Sequence, residues 1–311
     1  MKQLSIGEAT IIARDETAIT EMTCDTGQGK VAYVDSDGWI WIYDPAQDRS
    51  TQLVQGQSPE WQADGESILF EREWNLYSCP VAEDSTETKL LDRQKIGDTV
   101  RLAKPRVSPN GDILIQCHNV FEAKSKIPRH FYALLSPNAK QHQLTEVPCA
   151  RSDAAWDKEG QRFLVEGWEG DNAIRIVRRD LTIEARFKLT LGAFSPSGQQ
   201  VATQQFGSNV ISVIENQQGQ WRNVHSFACA GKQANRNRPY WLSESMIIFE
   251  ADYHLHVIDI ETGEISQIGG NLLGLTRRGT PSISWYGHEP AFVYEASENG
   301  GVVLKRVKLD I

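Results

Sequence analysis

An all-β propeller of seven four-stranded antiparallel blades is the fold class this sequence predicts, with six blades as the alternative count. Three observations point to it. A turn rich in Gly, Asp, Asn or Ser, followed at once by a short β-type run, recurs seven times: DTGQGKVAYV, WQADGESILF, VSPNGDILIQ, WDKEGQRFLV, FSPSGQQVAT, WLSESMIIFE and WYGHEPAFVY. The first apolar residue after each turn is Val31, Ile68, Ile113, Phe163, Val201, Ile247 and Phe292, at spacings of 37, 45, 50, 38, 46 and 45 residues. No helix with caps and an apolar stripe at helical spacing interrupts the series.

Each unit divides into four strands. The first is short and ends just before the turn, and the second follows it. The third is the best formed, as WIWIYD, NLYSCPV, HFYALL, AIRIVRRD, VISVIEN, HLHVIDI and VVLKRVKL. These runs are rich in Val, Ile and aromatics, as half-buried strands should be. The fourth lies past a polar hairpin turn such as DPAQDR or ETGE. The units fall at roughly 19–55, 56–101, 102–148, 149–189, 190–229, 230–270 and 279–311, within one domain spanning 1–311. The last unit is one strand short, and GEATIIARD near the N-terminus has strand character without a unit of its own. Residues 1–18 are therefore expected to supply the outer strand of the last blade and close the ring. The longest irregular stretch, HNVFEAKSKIPRH at 118–130, is expected to connect the second and third strands of the third blade.

Composition bounds the function classes. Of 311 residues, 40% are apolar and 23% charged, as in an ordinary soluble globular chain. No apolar stretch approaches the roughly 18 residues that span a bilayer, and the N-terminus lacks the pattern of a secretory signal. The five cysteines, Cys24, Cys79, Cys117, Cys149 and Cys229, include no CxxC pair. Neither a disulfide framework nor a zinc site is expected, and a cytoplasmic location is. The net charge of −9 speaks against wholesale nucleic-acid binding.

The units resemble the TolB-like, or WD-repeat-like, propeller repeat. SPEWQADGESILF at 58–70 carries the resemblance best, followed by KPRVSPNGDILI, AWDKEGQRFLV and GAFSPSGQQVA. DIETGEISQI at 259–268 matches the tail of the repeat. The resemblance covers nearly the whole chain and implies the fold, but it does not imply one activity. There is no GxSxG nucleophile elbow, so the resemblance does not carry over the hydrolase role of oligopeptidase propellers. Recurring Gly-His and Trp-Asp pairs are also missing, so the bacterial type of unit is the better match.

Several motifs favour structural roles. Trp61, Trp156, Trp241 and Trp285 precede the turn at one repeat position and are expected to pack between neighbouring sheets. Trp39 and Trp41 share a strand face and are expected to do the same. His254 and His256 form an HxH without further ligands in view, so no metal is assigned. Asp35-Ser36-Asp37-Gly38 matches the start of a calcium loop, but the remaining ligands are missing and a hairpin is expected. The carboxylates Glu71, Glu73, Glu166, Glu169 and Asp171 fall near one rim without a nucleophile or a paired acid and base, so no catalytic residue or cofactor is assigned.

Charge placement carries the functional reading. The links between blades and the second-to-third-strand connections open on one face of a propeller. Lys95, Arg101, Lys104, Arg106, Lys124, Lys126, Arg129, Arg151, Lys232, Arg236, Arg238, Arg277 and Arg278 all fall there, thirteen of the chain's 32 Lys and Arg residues. Trp74 and Trp168 lie in two of the same connections, where an aromatic suits binding. The expected partner-binding set is Arg106, Lys124, Lys126, Arg129, Lys232, Arg236, Arg238, Arg277, Arg278, Trp74 and Trp168. The expected role is a non-enzymatic interaction scaffold, a subunit of a larger bacterial assembly, that docks an acidic protein segment. The alternative is a small-molecule or carbohydrate-binding protein or enzyme, a hydrolase or lyase, with its site at the mouth of the central channel.

Overall fold

The structure, a computed structural model, describes residues 5–15, 21–24, 29–82, 85–120, 130–137, 142–144, 154–166, 173–189, 192–204, 208, 210–229, 238–251, 254–268, 284–285, 291–298 and 301–310. Their strands form seven antiparallel sheets of four. Sheet 1 holds Glu21–Cys24, Val31–Val34, Trp39–Asp44 and Arg49–Gln55. Sheet 2 holds Gln57–Trp61, Ser67–Arg72, Asn75–Pro80 and Thr88–Leu91, and sheet 3 holds Val100–Val107, Ile113–Asn119, His130–Leu135 and His142–Leu144. Sheet 4 holds Ala155–Trp156, Arg162–Glu166, Ile174–Arg178 and Ile183–Phe187, and sheet 5 holds Gly192–Phe194, Gln200–Gln204, Val210–Gln217 and Gln220–Ala228. Sheet 6 holds Tyr240–Trp241, Met246–Ala251, His254–Asp259 and Ile265–Ile268. Sheet 7 takes Ser284–Trp285, Ala291–Glu298 and Gly301–Asp310 from one chain end and Ser5–Asp15 from the other. The register runs from Ser5↔Asp310 to Asp15↔Val302, so the opening strand completes the closing sheet as the sequence predicts.

The repeat is visible residue by residue. The first apolar residue after each turn pairs with the residue just before it: Cys24↔Val31, Trp61↔Ile68, Val107↔Ile113, Trp156↔Phe163, Phe194↔Val201, Trp241↔Ile247 and Trp285↔Phe292. The turns need glycine for a backbone reason. Gly65, Gly111, Gly160 and Gly198 stand at one turn position with φ of 67, 80, 63 and 70°, where a Cβ is disfavoured.

Successive residues of a second strand face opposite neighbours. Ile68 and Phe70 join Ala32, Val34, Ile40 and Ile42 of sheet 1, with Trp61 and Tyr77 in the same cluster. Leu69 turns the other way and packs with Val100, Leu102, Ile113 and Phe131 of sheet 3. Burial on both faces is why the second and third strands read as near-continuous apolar runs. The first strands of consecutive sheets touch, 7 with 1, 1 with 2 and 2 with 3, as do 4 with 5 and 5 with 6. First strands are therefore the inner edges, and fourth strands such as Arg49–Gln55 carry the exposed residues.

The sheets fall into two compact units. Met1–Pro148 with Gly274–Ile311 contains sheets 7, 1, 2 and 3, and Cys149–Leu273 contains sheets 4, 5 and 6. Among the described residues no helix is long and apolar enough to cross a membrane.

Candidate functional site

The strongest candidate lies on the rim shared by sheets 2 and 3. The second and third strands of sheet 2 are closed by a two-residue turn, Glu73-Trp74, after the Arg72↔Asn75 pair. Both turn residues have positive φ, 53 and 66°. A left-handed conformation costs a non-glycine residue about 1–2 kcal/mol, and such turns normally carry Asn-Gly. The surroundings hold it in place. The Trp74 N–H donates to Glu71 Oε1 at 2.7 Å, and Asn75 Nδ2 donates to the Glu73 carbonyl at 3.1 Å. Asn75 Oδ1 accepts the Arg93 N–H at 3.0 Å, and the Trp74 carbonyl accepts the Leu102 N–H at 3.3 Å. The turn is thus tied to the link between the sheets and to the first strand of sheet 3.

That bracing presents the Trp74 side chain to solvent, 39% exposed. The exposed Arg101 guanidinium lies over its ring, 4.2 Å from the centroid. A cation this close to an indole face is attracted by the ring quadrupole. Among the described residues no hydrogen bond or ion pair engages Arg101. The other guanidiniums with strong contacts differ in this respect. Arg72 is bidentate with Glu87, Arg162 pairs with Asp157, and Arg178 pairs with Glu184.

Beneath Trp74, Glu71 is only 6% exposed. Burial pushes its carboxyl pKa up, the Trp74 N–H pulls it partly back, and the nearby Glu21 charge pushes it up again. Glu21 is itself held across the boundary between sheets 1 and 2. It accepts from the Ser58 backbone N–H and, at 3.2 Å, from Ser58 Oγ.

Arg106 belongs to a different device. The first strands of sheets 2 and 3 carry equivalent irregularities, between Gln57 and Glu60 and between Ala103 and Arg106. Ser58 and Lys104, each before a proline, both have positive φ. The bulges align Glu60 with Arg106, and Thr23 takes the same place in sheet 1. Arg106 Nη1 bonds Glu60 Oε2 at 2.9 Å and the Pro105 carbonyl at 2.9 Å, while Thr23 Oγ1 reaches Glu60 Oε2 at 3.4 Å. Three inner strands are thus stitched together, and the Arg106 guanidinium is engaged within the protein.

Of the other expected contacts, Arg238 is half-buried. Lys124, Lys126, Arg129, Trp168, Lys232, Arg236, Arg277 and Arg278 lie outside the described residues. Two contributors to the rim were not expected. One is Val120, 43% exposed, whose N–H bonds the Thr99 carbonyl at 3.0 Å. The other is the role of Glu71, for which the repeat itself carries a signal. Three residues after the marker apolar residue stand Glu71, Gln116, Glu166, Gln204, Glu250 and Glu295, against Val34 in the first unit. Glu71, Gln116, Glu166 and Gln204 are all buried.

The remaining motifs resolve structurally where they are described; Glu169, Asp171 and the side chains of His254 and Trp285 lie outside the described residues. Asp35 Oδ1 accepts the Asp37 and Trp39 N–H groups, and Oδ2 accepts Trp41 Nε1 at 2.7 Å, so this carboxylate closes a hairpin. His256 is buried with its ring 5.3 Å from that of Phe249. Trp61 and Trp241 are buried between sheets, and Trp156 packs edge-on against Phe163. Among the described residues no cluster of three or more His, Cys, Asp or Glu could hold a metal ion.

Comparison with solved structures decides the fold. The chain superposes on the β-propeller domain of Cps50 (Swd1) from Myceliophteria thermophila with a TM-score of 0.66, covering 96% of this chain and 99% of that one, at 12% identity. The fold is a seven-bladed β-propeller. Its sheets are blades, and the rim site lies on blades 2 and 3. At this identity the likeness is one of fold. By sequence, no protein-family model and no curated protein matches the chain.

Proposed function

We propose that this propeller is a non-enzymatic interaction scaffold, of the TolB-like type of unit and cytoplasmic, serving as a subunit of a larger bacterial assembly. It docks an acidic protein segment on the rim of blades 2 and 3. The observation that carries the proposal is Arg101, an exposed guanidinium held on Trp74 with its N–H donors uncommitted among the described residues. A carboxylate can approach in the guanidinium plane and take two parallel hydrogen bonds, while Trp74 keeps the fork in one orientation. Braced backbone limits the ordering that binding requires. Exposed Lys95 adds positive charge on the adjoining link. The cytoplasmic reading draws on the sequence, whose five cysteines include no CxxC pair. Lys124, Lys126, Arg129, Lys232, Arg236, Arg238, Arg277, Arg278 and Trp168 would extend the basic surface.

The test uses fluorescein-labelled polyglutamate, with polylysine as control. Polyglutamate should bind, weaken with salt, and lose about tenfold in affinity with Arg101→Glu. Binding unchanged by that substitution would refute the reading. The alternative, a carbohydrate site, draws on an exposed Trp74 above buried Glu71. It requires a neutral oligosaccharide to quench Trp74 fluorescence in the Arg101→Glu variant as in the wild type.

A further inference from the structure

The described residues expose three large apolar side chains: Trp74, Val120 and Ile183. Ile183 stands on the outer strand of blade 4. The other two flank the same short piece of backbone. The Trp74 carbonyl accepts the Leu102 N–H from one side, and the Val120 N–H donates to the Thr99 carbonyl from the other. Thr99 stands opposite Val120 as Arg101 stands opposite His118, so the Arg101 and Val120 side chains are diagonal neighbours on one face of the sheet, about 7 Å apart. Arg101, with its guanidinium over Trp74, projects from between them. The backbone groups here are already used, because Val100 N–H bonds Gly97 and Leu102 N–H bonds Trp74. A partner is therefore read by side chains and not by strand addition.

We infer that this rim is a two-point site for an extended acidic peptide, with a carboxylate on Arg101 over Trp74 and an apolar side chain, two residues away, against Val120. The inference rests on the scaffold reading above and adds the apolar seat and its spacing. Charge selects the occupant. Arg101 and Lys95 are exposed without an ion pair among the described residues, so a basic or neutral segment leaves the guanidinium unmatched. Exposed Glu73 and Asp98, neighbours of Trp74 and Thr99 in the chain, disfavour further carboxylates beside the one on Arg101. Val120 supplies what a run of acidic residues alone cannot use, an exposed apolar side chain beside the cation. Side chains two residues apart in an extended peptide share a face and lie about 7 Å apart, which matches the two points.

The experiment is selection of peptides from a fully randomised display library on the intact protein, followed by affinity measurement of the winners as synthetic peptides. Enriched peptides should carry Asp or Glu followed, at the second residue after it, by Leu, Ile, Val, Met or Phe. Arg101→Glu should weaken them about tenfold or more, and Val120→Ser severalfold. Both positions are exposed, and melting curves check that each variant folds as the wild type does. Acidic peptides that depend on Arg101 but ignore Val120→Ser would overturn the two-point site and leave the scaffold reading standing. Enrichment without acidic residues, or no enrichment, would overturn both.

Discussion

Trp61 and Trp241 stand at the same repeat position, before the turn of blades 2 and 6, yet replacing each by phenylalanine should have different consequences. Both are buried, at 6% and 4% exposure. Trp241 Nε1 donates to the Ala193 carbonyl of blade 5 at 3.0 Å. Trp61 Nε1 is buried and, among the described residues, has no hydrogen-bond partner. Either change removes about 40 Å² of apolar surface, or ~1 kcal/mol. An unsatisfied buried donor costs about 1–3 kcal/mol. Trp61→Phe relieves that cost, so the two terms offset and stability should stay within about 1 kcal/mol of wild type. Trp241→Phe leaves the Ala193 carbonyl unmatched and should lose about 2–4 kcal/mol. Alanine at either site should lose about 3–5 kcal/mol, since both fill the space between blades. Urea denaturation followed by circular dichroism separates these values. Equal losses for the two phenylalanine variants, or a larger one at Trp61, would refute the reasoning.

Three further predictions concern the blade boundaries and the rim. Glu71 holds its proton to a higher pH when folded than when unfolded, because burial raises its pKa. Its contribution is therefore fully present below the ordinary glutamate value and fades as pH rises toward the raised one. Glu71→Gln, which keeps an acceptor for the Trp74 N–H, should melt with the wild type near about pH 4 and above it at neutral pH. A gap that does not grow with pH would contradict this. A double-mutant cycle of Glu60→Ala and Arg106→Ala should return a coupling of roughly 1 kcal/mol for this partly exposed pair, and no coupling would show that the ion pair does not hold the blades. Gly192→Ala places a Cβ onto Ile174 Cδ1. It should lose about 1–3 kcal/mol through overpacking, and Ile174→Val should recover part of the loss; a neutral Gly192→Ala would mean that the boundary between blades 4 and 5 is looser than described.

The third strands were legible in the sequence because both of their faces are buried. WIWIYD and HFYALL coincide with Trp39–Asp44 and His130–Leu135 to the residue. The first strands were harder to read. Several span two or three residues, and those of blades 2 and 3 contain Pro59 and Pro105, which a pattern reading takes as strand breakers. The structure tolerates both prolines at irregularities of an inner edge. At the rim, Trp74 was visible as an aromatic in a connection, and Arg101 as a basic residue in a link. Their contact joins residues 27 positions apart (101 − 74) across two blades, so neither position alone reveals it. Arg106 has the same local character as Arg101, and only the fold shows that Glu60, 46 residues before it, engages one and not the other. The buried Glu71 and its equivalents become visible only when the units are aligned on their marker residues.

The docking account is tested most directly by the indole N–H signals of the nine tryptophans in a ¹⁵N-labelled sample. A synthetic peptide, Gly-Ser-Glu-Gly-Leu-Gly-Ser, is titrated in, with each signal assigned by substitution. The account predicts that Trp74 shifts progressively while the buried Trp61 and Trp241 stay fixed, and that Arg101→Glu abolishes the shift. A Trp74 signal that does not move while another exposed indole does would place binding elsewhere on the propeller and contradict the account.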